Sequence, residues 1–156
     1  LQTMTADELL QVALEMEQTG EVLYEYLAAG AADTKTASLA RRLARQEIDH
    51  YRKFERMRRE LADQDAVPLA DEDLTRMRDL IRDRVMPGEE QVRSLLAGRS
   101  PAEALDAAVE LERKSVAFYE ALRRTVADGQ AETLERIIED ERQHARVLTE
   151  TRRHIG

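Results

Sequence analysis

A chain of 156 residues with no cysteine and 36% charged residues is long enough for one domain with a real core, and it excludes a disulfide framework, an iron–sulfur cluster and a zinc–thiolate site. Apolar runs are only a few residues long, which excludes a membrane-spanning helix, and no secretory signal is visible. A net charge of −8 argues against a nucleic-acid partner, because phosphate binding needs a positive surface. The expectation is a cytoplasmic protein with no nucleic-acid and no membrane partner. The chain opens at Leu1 rather than Met, so native residues can be missing there.

Only three prolines and six glycines interrupt the sequence. A first helix is expected from Thr5 to about Gly30, opened by the capping box "TADE", in which Thr5 and Glu8 satisfy each other's backbone N–H groups. A second runs from about Asp33, a candidate N-cap, to Asp65. Between 66 and 99 the pattern is less regular, with one helix stopped near Pro87 and a short one over "EEQVRSLLAG". A third long helix begins at Ser100 with the capping box "SPAE" and ends near Asp128-Gly129, and a fourth fills roughly 130–154. No stretch shows the alternation of a half-buried strand. The expected fold is all-α: one domain over 1–156, with a helical hairpin over 5–65, a crossover over 66–99 and a second hairpin over 100–154.

The second hairpin repeats the first. "ALEMEQTGEVLYEYL" at 13–27 lies over "AVELERKSVAFYEAL" at 108–122, and "EIDH" at 47–50 lies over "ERQH" at 141–144. Four long helices in two repeated hairpins predict a four-helix bundle. The crossover is too long for a tight turn and can carry the chain along the bundle to start the second pair.

The inward stripes carry the chemistry. They run Leu10, Ala13, Glu17, Gly20, Tyr24, Leu27 on the first helix and Leu43, Glu47, His50, Phe54, Met57, Leu61 on the second. The third offers Leu105, Ala108, Glu112, Ser115, Tyr119, Leu122, and the fourth Leu134, Ile137, Glu141, His144, Leu148. Each helix thus places a carboxylate where an apolar residue belongs. Four buried carboxylates repel one another, so they are protonated, or the stripe is misassigned, or cations sit among them. The charge count favours cations. Glu17, Glu47, Glu112 and Glu141 bring four negative charges, His50 and His144 add neutral nitrogen donors, and two divalent metals balance the set. Glu-x-x-His places both side chains on one face, where they can share a metal. Such pairs are common on wet helix faces, but the duplicated register and the two further inward glutamates favour a dinuclear site. His154 lies outside the pattern as a surface residue.

Tyr24 and Tyr119 lie two turns beyond Glu17 and Glu112 on the same faces. A core tyrosine needs a partner for its hydroxyl, and a ligand carboxylate on a facing helix would serve; packing alone, with the hydroxyl on backbone or water, is the alternative. Gly20 and Ser115 match one another one turn past the glutamates, which allows either room beside the metals or close helix packing.

At these residues the chain resembles the ferritin-like superfamily, and most of all the dinuclear domain of rubrerythrins, through E-x6-Y followed by E-x-x-H, then both again. The resemblance implies Glu17 and Glu112 as terminal ligands, Glu47 and Glu141 as bridges, and His50 and His144 as one cap each. It implies two iron ions per chain, with zinc or manganese as substitutes. Rubrerythrins usually carry a rubredoxin-like domain with four metal-binding cysteines, and an additional carboxylate three residues after the third-helix ligand. This sequence has no cysteine and has Ser115 at that position. The expected function is reduction of peroxide or dioxygen, with electrons from a separate donor protein. Ferrous-iron oxidation or storage is one alternative, and a metal-stabilised interaction module is another. A homodimer is compatible with the resemblance.

Overall fold

The computed structural model of the chain describes residues 5–61, 71–82, 89–126 and 128–155. Among these residues six helices follow in order: α1 (Ala6–Gly30), α2 (Thr34–Leu61), α3 (Asp71–Arg82), α4 (Glu89–Leu96), α5 (Pro101–Arg123) and α6 (Asp128–Ile155). No strand occurs among the described residues, and no helix among them is long and apolar enough to cross a membrane.

The helix starts follow local chemistry. Both capping boxes form, with Thr5 and Ser100 accepting from the backbone N–H of Glu8 and Glu103, and Pro101 opens α5 where no donor is needed. Asp33 Oδ1 accepts from the Thr36 N–H at 2.7 Å and so opens α2. The expected ends of α2 near Asp65 and of α3 near Pro87 lie outside the described residues. Gly98, at φ +77°, makes the turn from α4 towards α5 in a region that favours glycine.

One boundary differs from the sequence reading. α5 ends at Arg123, and Asp128-Gly129 opens α6 rather than closing α5. The Arg124 N–H bonds to Ala121 O at 3.3 Å, and the Thr125 N–H and hydroxyl both reach Leu122 O, at 2.9 and 2.7 Å. These short-range bonds tighten the last turn, and buried Thr125 satisfies its own hydroxyl there.

α1 packs chiefly on α2, and α5 on α6. The core falls into two apolar clusters. One takes Leu9–Met16 positions of α1, Phe54–Leu61 of α2, Phe118–Leu122 of α5 and Leu134–Ile138 of α6, with Met77 of α3. The other takes Leu23–Leu27, Ala40–Ala44, Ala104–Val109 and Leu148, with Val92 and Leu96 of α4. α1 and α6 therefore run from the first cluster to the second, and α2 and α5 run the other way. α2 ends at the cluster opposite to the one where α5 begins, so α3 and α4 must carry the chain back along the bundle. The Tyr26 hydroxyl, donating to Leu96 O at 2.5 Å, fastens α4 to α1. Between the clusters every long helix has a gap in its apolar stripe.

Candidate metal centre

The gap is filled by polar side chains. Glu17, Glu47, His50, Glu112, Ser115, Glu141 and His144 are all at least 97% buried. The stripes already place each inward: one residue per turn on α1 and α5, and the i, i+3 pairs Glu47/His50 and Glu141/His144 on α2 and α6. Apolar clusters lie above and below, so these groups are left to pair with one another and with the few polar residues around them.

Two overlapping sets of four result. Glu17, Glu47, His50 and Glu141 can bring one ligand atom each to within 4.8 Å of one another, and so can Glu47, Glu112, Glu141 and His144. Glu47 and Glu141 belong to both sets. His50 Nδ1 lies 2.7 Å from Glu141 Oε1 and 3.6 Å from Glu17 Oε2, and His144 Nδ1 lies 3.1 Å from Glu47 Oε1. The two imidazole rings are 6.0 Å apart and inclined by only 21°. His154, by contrast, is exposed at the end of α6.

The tyrosines hold the outer glutamates. The Tyr119 hydroxyl donates to Glu17 Oε1 at 2.7 Å, and the Tyr24 hydroxyl donates to Glu112 Oε1. Each bond crosses from one hairpin to the other, and each leaves the second oxygen of its glutamate free. Burial, together with the adjacent carboxylate, raises the pKa of both phenols, so they remain donors.

Whether a cation suits the site is decided by what the protein leaves unpaired. Glu17 Oε2, Glu47 Oε1, His50 Nδ1, Glu112 Oε2 and Glu141 Oε1 are buried without a well-directed hydrogen bond among the described residues, although His50 Nδ1 lies against Glu141 Oε1 and Glu47 Oε1 against His144 Nδ1. Buried polar atoms without well-directed partners are costly, and five at one centre fit an oxygen- and nitrogen-liganded divalent cation better than a self-sufficient network. The metal-free electrostatics agree. Burial, then repulsion from the other carboxylates, pushes Glu47, Glu112 and Glu141 above the usual carboxyl range. Glu17 stays below its ordinary value, because hydrogen bonding with Glu47 and the His50 charge outweigh the upward push of burial. Burial disfavours the His50 imidazolium, yet Glu17, Asp140 and Glu141 push its pKa up to about 12. Without a metal, then, the centre holds protons where cations would sit.

The fold that produces this centre has a known counterpart. A crystal structure from Thermotoga maritima, of a protein described as a candidate ferritin-like diiron-carboxylate protein, matches 100% of this chain and 99% of its own, with a TM-score of 0.71 and 24% identity. The fold is ferritin-like. The rubrerythrin family model matches residues 8–78, which take in nearly all of α1, the whole of α2 and most of α3. No curated protein sequence matches. The ferritin-like bundle thus carries its rubrerythrin likeness in the first hairpin, and the second hairpin repeats that hairpin's polar positions.

Two participants were not foreseen from sequence. His50 Nε2 lies 2.9 Å from Asp140 Oδ2, and His144 Nε2 lies 2.6 Å from Gln46 Oε1. Each partner immediately precedes the glutamate of the opposite helix's E-x-x-H, so the repeat held the signal. The role of Gly20 is also resolved. A Cβ there would stand 2.6 Å from Glu47 Oε2, so the missing side chain accommodates the Glu47 carboxylate.

Proposed function

We propose that this protein is a di-iron carboxylate oxidoreductase that reduces peroxide or dioxygen, drawing electrons from a separate donor protein. The observation that carries the reading is the pair of four-residue sets sharing Glu47 and Glu141, with five ligand atoms between them that lack a well-directed hydrogen bond. Two iron ions per chain match four carboxylates and two imidazoles in charge and donor type. Glu17 and Glu112 would serve as terminal ligands through their free Oε2 atoms, Glu47 and Glu141 as bridges, and His50 and His144 through Nδ1.

Bound iron would supply the redox chemistry, one electron from each ion, so that peroxide with two protons becomes two waters. The chain's own residues prepare the place for it. Tyr119 and Tyr24 occupy one oxygen of each terminal glutamate and leave a single oxygen for a metal. Asp140 and Gln46 receive the Nε2 protons, which turns each Nδ1 lone pair towards the centre. The apolar clusters on either side keep bulk water away.

Stopped-flow mixing of the anaerobic ferrous protein with peroxide and with dioxygen tests the activity. Fast oxidation by peroxide, or by dioxygen at a stoichiometry of one turnover per iron pair, supports it. Continued oxidation of added ferrous iron by dioxygen would assign the centre to iron uptake instead, and no reaction with either would leave a metal-stabilised binding module.

A further inference from the structure

Apart from Gly20 and Ser115, which match one another one turn past the outer glutamates, the two halves of the centre match residue for residue except behind the histidines. Glu17 matches Glu112, Tyr24 matches Tyr119, Glu47 matches Glu141 and His50 matches His144 in the repeat, and the same repeat sets Gln46 against Asp140. The tyrosine bonds are alike on both sides, so they do not distinguish one metal position from the other. The acceptors behind the imidazoles do. His50 Nε2 meets a carboxylate oxygen at 2.9 Å, whereas His144 Nε2 meets an amide oxygen at 2.6 Å.

Building on the dinuclear reading above, we propose that the two metal positions are unequal. The position bounded by Glu17, Glu47, His50 and Glu141 fills before the one bounded by Glu47, Glu112, Glu141 and His144, because Asp140 backs His50 with a negative charge and Gln46 backs His144 with a neutral amide. A histidine bound through Nδ1 must carry its proton on Nε2 and donate it outward. A charged acceptor for that proton makes the imidazole a stronger donor and adds one negative charge near the cation. Gln46 orients its ring equally well but adds no charge. Asp140 and Gln46 are thus positioning residues that act through the histidines. The Asp140 side chain is 44% exposed, so water screens part of its charge. A preference of about tenfold is expected, the low end for partners of metal-bound histidines.

Zinc is the probe, since it takes the same oxygen and nitrogen ligands and leaves the histidine spectra sharp. It is titrated into the metal-free full chain while the ring nitrogens are followed by NMR. The sequence has three histidines, and exposed His154 serves as the internal control. At one equivalent the His50 ring should be largely ligated, with His144 following between one and two equivalents. Asp140→Asn should abolish the preference by lowering the His50 affinity about tenfold. The charge-exchanged variant Asp140→Asn/Gln46→Glu should reverse the order. Simultaneous ligation of both rings in the parent overturns the proposal while leaving the dinuclear centre intact, and so does an order that survives the exchange. Saturation at one equivalent or fewer, or neither ring responding, overturns the dinuclear reading as well.

Discussion

Tyr119 reaches across from α5 to Glu17 on α1 with a 2.7 Å hydrogen bond, and the repeat reproduces that bond between Tyr24 and Glu112. Each hairpin therefore orients the outer carboxylate of the other, and neither half of the centre is complete alone.

Removing both hydroxyls is the first test. Tyr24→Phe/Tyr119→Phe keeps the rings in the core, where Tyr119 packs on Phe54 and Phe118. The helical content should persist, while Glu17 and Glu112 lose the bond that selects one oxygen. Metal affinity in a chelator competition should fall about ten- to a hundredfold. Unchanged affinity would mean that the hydroxyls merely satisfy themselves.

Gly20→Ala separates stability from binding. Alanine favours the helix by roughly 1 kcal/mol. The new methyl, though, would overlap Glu47 Oε2, the end of a flexible side chain that can swing aside. The metal-free melting temperature should hold or rise, while the capacity for two metals weakens because Glu47 is displaced. Two metals bound as tightly as in the parent would show that Glu47 need not occupy its present position.

Glutamine substitutions at the two outer glutamates should act in opposite directions in the metal-free protein at neutral pH. Burial and the adjacent Glu141 make Glu112 resist ionisation, so folding at neutral pH must place a proton on it; Glu112→Gln needs none and should raise the melting temperature. Glu17 faces the His50 imidazolium at 3.6 Å, so Glu17→Gln removes a counter-charge and should cost up to about 3 kcal/mol. Asp140 and Glu141 still face His50, which limits the loss. Both variants should bind metal less well. Equal shifts in the metal-free melts would contradict the charge pattern.

The pH dependence follows from the same groups. Glu47, Glu112, Glu141 and His50 all have folded pKa values above their ordinary ones, 4.5 for the carboxyls and 6.5 for the histidine. Their stabilising contribution is complete below those ordinary values and is lost as pH rises, over a range that for His50 extends to about 12. Glu17 acts oppositely, contributing above 4.5 and losing its contribution as pH falls through its lowered value. Metal-free stability should therefore decline as pH rises above the ordinary carboxyl value of 4.5, with the His50 contribution lost between 6.5 and about 12. Ligation requires these protons to leave, so metal uptake should release protons and tighten as pH rises. Binding heats measured in buffers of different ionisation enthalpy report the proton count, and a count of zero would contradict the protonated metal-free centre.

Much of this architecture was legible in the linear chain, because it depends on short-range geometry. Residues three and four apart share a helix face, so the stripes placed the glutamates, histidines and tyrosines inward before any helix was packed. The capping boxes at Thr5 and Ser100 involve only four residues each, and they formed as read. Duplication supplied the rest: two hairpins with matching polar positions imply one shared centre. Packing between helices decided what spacing cannot express. Which oxygen each tyrosine takes, that Asp140 lies behind His50 and Gln46 behind His144, and that Glu47 needs the space at Gly20 all depend on how two helices approach one another. The end of α5 was likewise settled by Thr125 bonding back to Leu122, against the glycine signal at Gly129. A helix's own sequence selects its buried face, but the distances across the core belong to four helices at once.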